Sequence, residues 1–180
     1  MKVVAIVGMA GSGKSEVARQ FEKSGYIRIR FGDITDEEVK KRGLLLNEVN
    51  ERQVREQLRQ EYGMAAYAKL NLPRIDETLQ KSNVVIDGLY SWEEYVLLKE
   101  YYGDKLYLVA VYSSPKMRHA RLTMRQVRPL TNHEAADRDK NEIEVINKGG
   151  PIALADFTIT NESSLQELKE QTQRAIERLA

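Results

Sequence analysis

Residues 8–15 constrain the fold more than any other part of the chain. They read Gly-Met-Ala-Gly-Ser-Gly-Lys-Ser and match the pattern G-x-x-x-x-G-K-[ST] at every fixed position. The preceding run Val3–Val7 is apolar throughout, which is typical of a central strand in a parallel sheet. After the loop, apolar side chains recur on one helical face until Gly25, where a helix would end. The sequence therefore predicts a strand, a glycine-rich loop and a helix in direct succession.

The chemistry of this loop indicates phosphate binding. Glycines let the backbone curl so that successive N–H groups point inward at a phosphate, and the helix that follows adds the positive end of its dipole. In such loops the lysine reaches the β- and γ-phosphates, and the final hydroxyl ligates Mg²⁺. The alternative is a glycine-rich turn with a surface lysine. We expect a bound nucleoside triphosphate, contacted by Gly8, Gly11, Ser12, Gly13, Lys14 and Ser15.

The composition excludes several classes of protein. A chain of 180 residues is long enough for one domain with a substantial core, so we expect a single domain over residues 1–180. The net charge of +1 gives no global field that would attract nucleic acid or an anionic membrane. The chain has no cysteine, which excludes disulfides, thiolate zinc sites and cysteine nucleophiles. No apolar run approaches the roughly 18 residues that cross a bilayer, and the short N-terminal run does not resemble a signal peptide, so a cytoplasmic location is expected.

Apolar runs that could form parallel strands alternate with helical segments. The runs are Val3–Val7, Tyr26–Phe31, Val84–Ile86 followed by Asp87, Leu106–Tyr112 and Phe157–Thr160. This alternation predicts a three-layer α/β domain with a parallel five-stranded sheet, and the loop motif at residues 8–15 makes a P-loop NTPase fold the expectation. Two charged helical insertions, at about residues 35–72 and 116–150, follow the second and fourth strands. Ligands of such sheets bind beyond the carboxyl ends of the strands, so the insertions are predicted to be an acceptor-binding segment and a lid.

Two aspartates follow predicted strands at the same edge of the sheet. Asp87 ends the third strand and can hold Mg²⁺ or its waters beside the loop, together with Ser15. The alternative for Asp87 is an ordinary Asp-Gly turn. Asp33 follows the second strand and could accept a hydrogen bond from an acceptor hydroxyl or act as its base. The alternative for Asp33 is a helix-entry residue.

An arginine-rich stretch follows the fourth strand. Its arginines share one helical stripe, and no acidic residue lies between residues 116 and 128. The stripe consists of Arg118, Arg121, Arg125 and Arg128. Like charges at this spacing repel, and a polyphosphate would offset the repulsion, because the guanidinium group binds phosphate oxygens in pairs and stays charged. We expect Arg118, Arg121 and Arg125 to clamp phosphates; contact with RNA and a merely solvated helix face are the alternatives.

Two further residues are candidates for nucleotide contacts. Arg138 lies in the next charged helix and could add an arginine to the closed lid. Asn161 follows the last strand, on a loop that could edge the nucleotide base, although a polar turn residue is the alternative. With Arg121 and Arg125 they complete the predicted cofactor-binding set. Without a ligand we expect the stripe to face water and the lid to stay open, because its charges gain phosphate partners only on closure.

Several motifs spread over nearly the whole chain carry a resemblance to a known family. They are Gly-Met-x-Gly-Ser-Gly-Lys-Ser-Glu at residues 8–16, Glu61-Tyr62-Gly63-Met64-Ala65-Ala66, Val84 to Gly88, Ser114-Pro115 with Arg118 and Arg121, Arg138-Asp139, and Ile152 to Ser163. The chain resembles P-loop nucleotide kinases, and more narrowly an archaeal-type branch similar to adenylate kinase and dephospho-CoA kinase. The resemblance implies a phosphotransferase dependent on Mg·ATP, with Lys14 on the phosphates, lid arginines on the transferring group and an aspartate near Asp33 on the acceptor side.

One departure from the family pattern concerns the acceptor. Relatives carry an arginine shortly after the Asp-Gly of the third strand, where it can clamp an acceptor phosphate, but this chain continues Leu89-Tyr90-Ser91. Arg55 or Arg59 of the inserted helix could replace it, or the acceptor could differ, or transfer could be weak. The main hypothesis is transfer of the γ-phosphate of Mg·ATP to a small acceptor such as a nucleoside monophosphate or dephospho-CoA. The rival hypothesis is a regulatory ATPase whose nucleotide state controls binding to a protein or RNA partner.

Overall fold

One parallel sheet organises the structure, a computed structural model that describes residues 1–127 and 129–179. In this part of the chain the strands are β1 (Val3–Val7), β2 (Ile27–Arg30), β3 (Val84–Asp87), β4 (Leu106–Tyr112) and β5 (Phe157–Thr160). They pair in the order β2-β3-β1-β4-β5, and every pair is parallel. The predicted five-stranded parallel sheet is confirmed. Because β1 lies between β3 and β4, the loop after β1 is at the centre of the carboxyl edge.

Helices cover both faces of the sheet. Within the described ranges they are α1 (Lys14–Lys23), α2 (Asp33–Lys41), α3 (Glu48–Tyr62), α4 (Ala66–Leu79), α5 (Trp92–Tyr102), α6 (Pro115–Thr123), α7 (Asn132–Glu144), α8 (Gly149–Ala153) and α9 (Leu165–Leu179). α1 and α9 pack on the face to which β1 contributes Val4 and Ile6. α4 and α5 pack on the opposite face, to which β1 contributes Val3, Ala5 and Val7. The predicted three-layer α/β fold is therefore confirmed.

Both predicted insertions are helical. α2 and α3 lie between β2 and β3, ahead of α4, while α6 and α7 lie between β4 and β5. α6 begins with Pro115 directly after Ser114, as the sequence predicts. The roles of these segments as acceptor-binding segment and lid stay predictions. Across residues 1–127 and 129–179, every helix is too short or too polar to cross a membrane.

Candidate functional site

Backbone conformation shapes the loop between β1 and α1. Gly8, Gly11 and Gly13 have φ angles of 146°, 78° and 102°, in the left-handed region that glycine adopts without strain. A Cβ atom at Gly11 would lie 2.7 Å from the carbonyl oxygen of Arg118, and one at Gly13 would overlap the side-chain amide of Asn161. The loop is therefore packed tightly against α6 and against the segment after β5, which leaves no room for a side chain at either glycine.

The loop lysine is folded back over the loop. Its Nζ atom donates a hydrogen bond to the carbonyl oxygen of Met9 at 2.9 Å. Burial of the ammonium group and the nearby charge of Lys148 lower the pKa of Lys14 to about 7, although Glu142 and Asp87 act in the opposite direction. A phosphate would supply both negative charge and hydrogen-bond acceptors at this point. Lys14 is thus placed for an anionic ligand.

A hydroxyl and a carboxylate meet beside the loop. The Oγ atom of Ser15 donates to Oδ1 of Asp87 at 3.4 Å. The other carboxylate oxygen accepts two hydrogen bonds from Arg28 on β2, one of them from Nε at 3.1 Å. Mg²⁺ prefers oxygen ligands and is usually held by one or two protein groups together with substrate phosphates. Ser15 and Asp87 fit that role, and the described part of the chain has no cluster of three or more His, Cys, Asp or Glu side chains for a metal.

Sequence reasoning misses Arg28 and Arg30, which share one face of β2 near the carboxyl edge. The strand alternates isoleucine and arginine, a signal that could have found them, because alternate residues of a strand share a face. Arg30 donates to Asp33 at 2.9 Å and to Asp36 at 3.1 Å. The predicted acceptor-side residue Asp33 is therefore the half-exposed, ion-paired first residue of α2.

An aromatic side chain covers the carboxyl end of β3. A Cβ atom at Gly88 would lie 3.0 Å from the hydroxyl oxygen of Tyr90, and one at Gly32 would lie 3.1 Å from the same atom. The guanidinium of Arg30 also approaches Gly32, so it lies near the Tyr90 hydroxyl. Tyr90 and Arg30 therefore line the cleft beside the carboxyl ends of β2 and β3.

Arg55 and Arg59, one of which could replace the arginine missing after the third strand, have other partners in this structure. Arg55 is paired with Glu48 at 2.6 Å and with Glu51 at 3.6 Å. The guanidinium of Arg59 lies over the ring of Tyr67, at 5.5 Å from its centroid. Both arginines thus contact groups of the helical insertion.

Asn161 joins the loop to one of the predicted lid arginines. Its side-chain amide donates to the carbonyl oxygen of Ser12 at 2.8 Å. The backbone carbonyl oxygen of Asn161 accepts a hydrogen bond from Nη2 of Arg121 at 2.9 Å. Nη1 of Arg121 donates to the hydroxyl of Ser113 at 2.9 Å. Asn161 therefore contacts the loop and positions Arg121. Its predicted contact with the nucleotide base stays a prediction.

Arg118, a predicted phosphate ligand, has partners within the protein in this structure. Its buried guanidinium donates to both carboxylate oxygens of Asp139, at 2.6 and 2.7 Å. Nη1 also donates to the carbonyl oxygen of Ala10 at 3.1 Å, and Nε donates to that of Ser113 at 3.0 Å. These contacts engage its guanidinium in holding α7 against the loop, and its predicted contact with a phosphate stays a prediction. Arg128, the last residue of the predicted stripe, lies outside the described residues.

A second acidic residue of α7 contacts the loop directly. One carboxylate oxygen of Glu142 accepts the backbone N–H of Ala10 at 2.9 Å, and the other accepts Nζ of Lys148 at 2.8 Å. Burial alone would raise the pKa of Glu142, but the charges of Lys148 and Lys14 outweigh this effect and lower it to about 2. The carboxylate is therefore ionised. Sequence reasoning misses Glu142 and Lys148, because no spacing pattern in the sequence pairs them. Their contact with the loop depends on how α7 docks.

The predicted lid is docked on the loop in this structure. Ala10 packs with Leu122 and Ala135 in a small apolar cluster beside the Arg118–Asp139 ion pair. The expectation that the arginine stripe faces water until a phosphate binds is wrong for Arg118. The sequence pattern shows no acid within the stripe, but the fold brings the carboxylates of α7 to it.

These elements surround a cleft of about 530 Å³, within the usual range for ligand pockets. Its described lining includes the basic residues Lys14, Arg19, Arg30, Arg121, Arg125, Arg138 and Lys148. The acidic residues of the lining are Glu16, Asp87 and Glu142. The structure thus brings the predicted Arg121, Arg125 and Arg138 to the loop lysine. This excess of positive charge favours a ligand with several negative charges.

Solved structures share this fold at low sequence identity. A gluconokinase from Sinorhizobium meliloti 1021 superimposes with a TM-score of 0.60 at 17% identity, and the match covers 99% of this chain and 93% of that one. A dephospho-CoA kinase from Campylobacter jejuni gives a TM-score of 0.59 at 15% identity, with 99% and 98% of the chains covered. At such identities the likeness establishes the fold alone.

Sequence comparison establishes the family. Residues 4–147 match the family described as AAA domain. A UPF0200 protein of Thermococcus onnurineus (strain NA1) is 36% identical over 181 residues, which cover 98% of this chain and 97% of that relative. The predicted resemblance to an archaeal P-loop family is confirmed. The chain carries an AAA domain and belongs to the UPF0200 proteins.

Proposed function

We propose that this protein is a phosphotransferase that moves the γ-phosphate of Mg·ATP to a small nucleotide-like acceptor, such as a nucleoside monophosphate or dephospho-CoA. The observation that carries the proposal is the basic cleft in which Lys14 of the loop meets Arg121, Arg125 and Arg138 of the predicted lid. Phosphoryl transfer demands little covalent chemistry from a protein. It depends on positioning and on neutralising charge at the transferring group, which such a cleft supplies.

On the donor side, each group has a defined task. The loop N–H groups and Lys14 bind the phosphates of ATP, and Ser15 with Asp87 holds the metal. Mg²⁺ would neutralise charge on the β- and γ-phosphates when bound there. Arg121 reaches the same cleft from α6, where Asn161 orients its guanidinium.

On the acceptor side, Arg30 and Tyr90 would orient the acceptor beside Asp33. Arg30 can bind an anionic group of the acceptor, and it also fixes the Asp33 carboxylate. Asp33 is the group that would accept a proton if the acceptor oxygen belongs to a hydroxyl. These acceptor roles rest on the position of Arg30 and Tyr90 in the lining of the cleft and on the ion pair between Arg30 and Asp33.

The compared structures favour a kinase over other uses of the same loop. The solved proteins named above are a gluconokinase and a dephospho-CoA kinase, and each matches nearly the full length of this chain. Shared architecture is weaker support than shared site chemistry. The shared architecture nevertheless agrees with the two helical segments that flank the loop in this chain. We propose a cytoplasmic location, because ATP is available there.

An acceptor screen tests the proposal. The protein is incubated with Mg·ATP and, in turn, each nucleoside monophosphate and dephospho-CoA, and phosphorylated products are separated by chromatography. We expect one acceptor class to be phosphorylated. Lys14→Ala should lower turnover by roughly 10²–10³-fold, the usual effect of removing one such electrostatic contact. Lys23→Ala, which changes an exposed lysine at the end of α1, is the matched control and should leave turnover unchanged.

A regulatory ATPase is the second candidate, and one observation favours it. Arg28 engages the Asp87 carboxylate, so Mg²⁺ must compete with a guanidinium for this group. Slow hydrolysis that no acceptor changes and that a protein or RNA partner stimulates would support the regulatory function and contradict the kinase.

A further inference from the structure

A buried lysine lies in the cleft without a part in the donor site described above. Lys148 is 2% exposed, and its Nζ atom donates to Glu142 at 2.8 Å. The same ammonium faces the ring of Tyr90, at 5.6 Å from the ring centroid. Burial of an ammonium group is costly even when it is paired, and a neutral residue in its place is often no less stable. A buried lysine at this point therefore indicates a role in binding.

Lys148 lies between the two ends of the cleft. On one side, Glu142 links it to the backbone N–H of Ala10 in the phosphate loop. On the other side, it faces Tyr90, which covers the end of β3. Lys14 and Lys148 both line the cleft. A group that moves from the loop toward Tyr90 therefore passes close to both ammonium groups.

The backbone around Lys148 is firmly held. Its N–H donates to the carbonyl oxygen of Glu142 at 3.0 Å, and the N–H of Trp92 donates to that of Ile146 at 3.3 Å. The Trp92 ring also lies against Gly150, where a Cβ atom would come within 2.5 Å of it. The lysine side chain thus starts from a fixed point, as a preorganised electrostatic contact requires.

We propose that Lys148, together with Lys14, binds the transferring γ-phosphoryl group of ATP. An ammonium has three N–H donors, so one can stay on Glu142 while another reaches a phosphoryl oxygen. This inference rests on the proposed function, because it assigns a further catalytic residue to that reaction.

The bond changes leave the lysine covalently unaltered. An acceptor oxygen forms a bond to the γ-phosphorus while the bond from this phosphorus to the β,γ-bridging oxygen breaks, and the electron pair of that bond stays on ADP. If the acceptor oxygen belongs to a hydroxyl, its proton passes to a carboxylate such as Asp33; if it belongs to a phosphate, no proton moves. Lys148 contributes only positive charge and hydrogen bonds to the phosphoryl oxygens.

The competing explanation is that Lys148 serves only as the counter-ion of Glu142. Both explanations predict weaker ATP binding after Lys148 is removed, because an unpaired Glu142 would repel the γ-phosphate. They differ when Glu142 is neutral. A pure counter-ion then has nothing to neutralise, whereas a phosphoryl ligand still loses its contact.

A double-mutant cycle separates the two explanations. ATP and ADP affinities are measured by calorimetry in Mg²⁺ for wild type, Lys148→Met, Glu142→Gln and the double variant. We expect Lys148→Met to lower ATP affinity about tenfold, the fold-change of one charge-assisted hydrogen bond, and to leave ADP affinity within about twofold. In the Glu142→Gln background the loss should persist, reduced only by the part that repulsion from an unpaired Glu142 contributes. Lys140→Met, which changes an exposed lysine of α7, is the matched control and should change neither affinity.

Each outcome decides the question. If Lys148→Met has no effect on ATP affinity in the Glu142→Gln background, the inference is overturned and the lysine is a counter-ion. Urea unfolding checks each variant, and if Lys148→Met does not fold, the double variant is compared with Glu142→Gln alone. Wild type that fails to bind ATP overturns the proposed function as well. If wild type binds ATP and the variants have the same ratio of ATP to ADP affinity as wild type, only the role of Lys148 is overturned.

Discussion

The carboxylate of Glu142 makes folding stability depend on pH in a way that can be calculated. Its pKa is about 2 in the folded protein against an ordinary value of 4.5. Since one pKa unit corresponds to about 1.4 kcal/mol, this difference of roughly 2.5 units corresponds to about 3 kcal/mol of folding stability. Glu142 is 5% exposed, so solvent screens this interaction little.

The sign follows from the lowered pKa. A carboxylate whose folded pKa lies below its unfolded pKa stabilises the fold fully above the unfolded value. Its contribution falls as the pH drops from about 5 toward about 2, because the folded protein must then take up the proton. Glu142→Gln should therefore lose about 3 kcal/mol at neutral pH, and its deficit should shrink in acid. Glutamine still offers an acceptor to the N–H of Ala10, but it leaves Lys148 without a countercharge.

Urea unfolding at several pH values between about 7 and 3 measures this effect. Glu144→Gln is the matched control on the same helix, because Glu144 is 60% exposed and lies 3.9 Å from Lys140. Its loss should stay within about 0.5 kcal/mol at every pH, as for other exposed ion pairs. Equal losses in the two variants at neutral pH, or a Glu142→Gln deficit that acid leaves unchanged, would refute the reasoning.

Three further predictions concern the site. At about pH 8, ATP binding should take up close to one proton, because Lys14 with a pKa of about 7 is mostly neutral at that pH and a bound phosphate restores its charge. Calorimetry in buffers of different ionisation enthalpy measures this proton uptake, and Lys14→Arg should abolish it. Arg28→Met should cost about 3 kcal/mol in urea unfolding, because it leaves the buried Asp87 carboxylate without its ion-pair partner. Mg·ATP should stabilise this variant more than wild type, and equal stabilisation would contradict competition between Arg28 and the metal. Amide hydrogen exchange across residues 116–150 should slow when an ATP analogue binds, and unchanged protection would mean that this segment is a static arm.

Local patterns predict the core of this protein well. The apolar run Val3–Val7, the loop glycines and the helix after them fix the centre of the sheet, because each has a short-range physical cause. Asp87 could be placed beside Ser15 because strand ends in a parallel sheet share one edge. These predictions needed only the order of elements along the chain.

Side-chain partners within the site could not be predicted in the same way. Helical spacing places Arg118 and Arg121 on one stripe, yet Arg118 is buried against Asp139 while Arg121 reaches the cleft. The difference depends on how α7 docks, which no periodicity of the sequence encodes. The pair of Glu142 and Lys148 arises from the same docking. The tertiary contacts made by α7 therefore decide which of these side chains are buried in ion pairs and which reach the cleft.

Two hydrogen bonds to the loop residue Ala10 link the loop to the predicted lid. Glu142 accepts the N–H of Ala10, while Arg118, itself held by Asp139, donates to the carbonyl oxygen of the same residue. Asp139 and Glu142 lie three residues apart on α7, so a tilt of this helix shifts the contacts of both peptide groups that flank Ala10. The chemical shift of the Ala10 amide should consequently report the position of α7. NMR can follow this one resonance as ATP binds and is released.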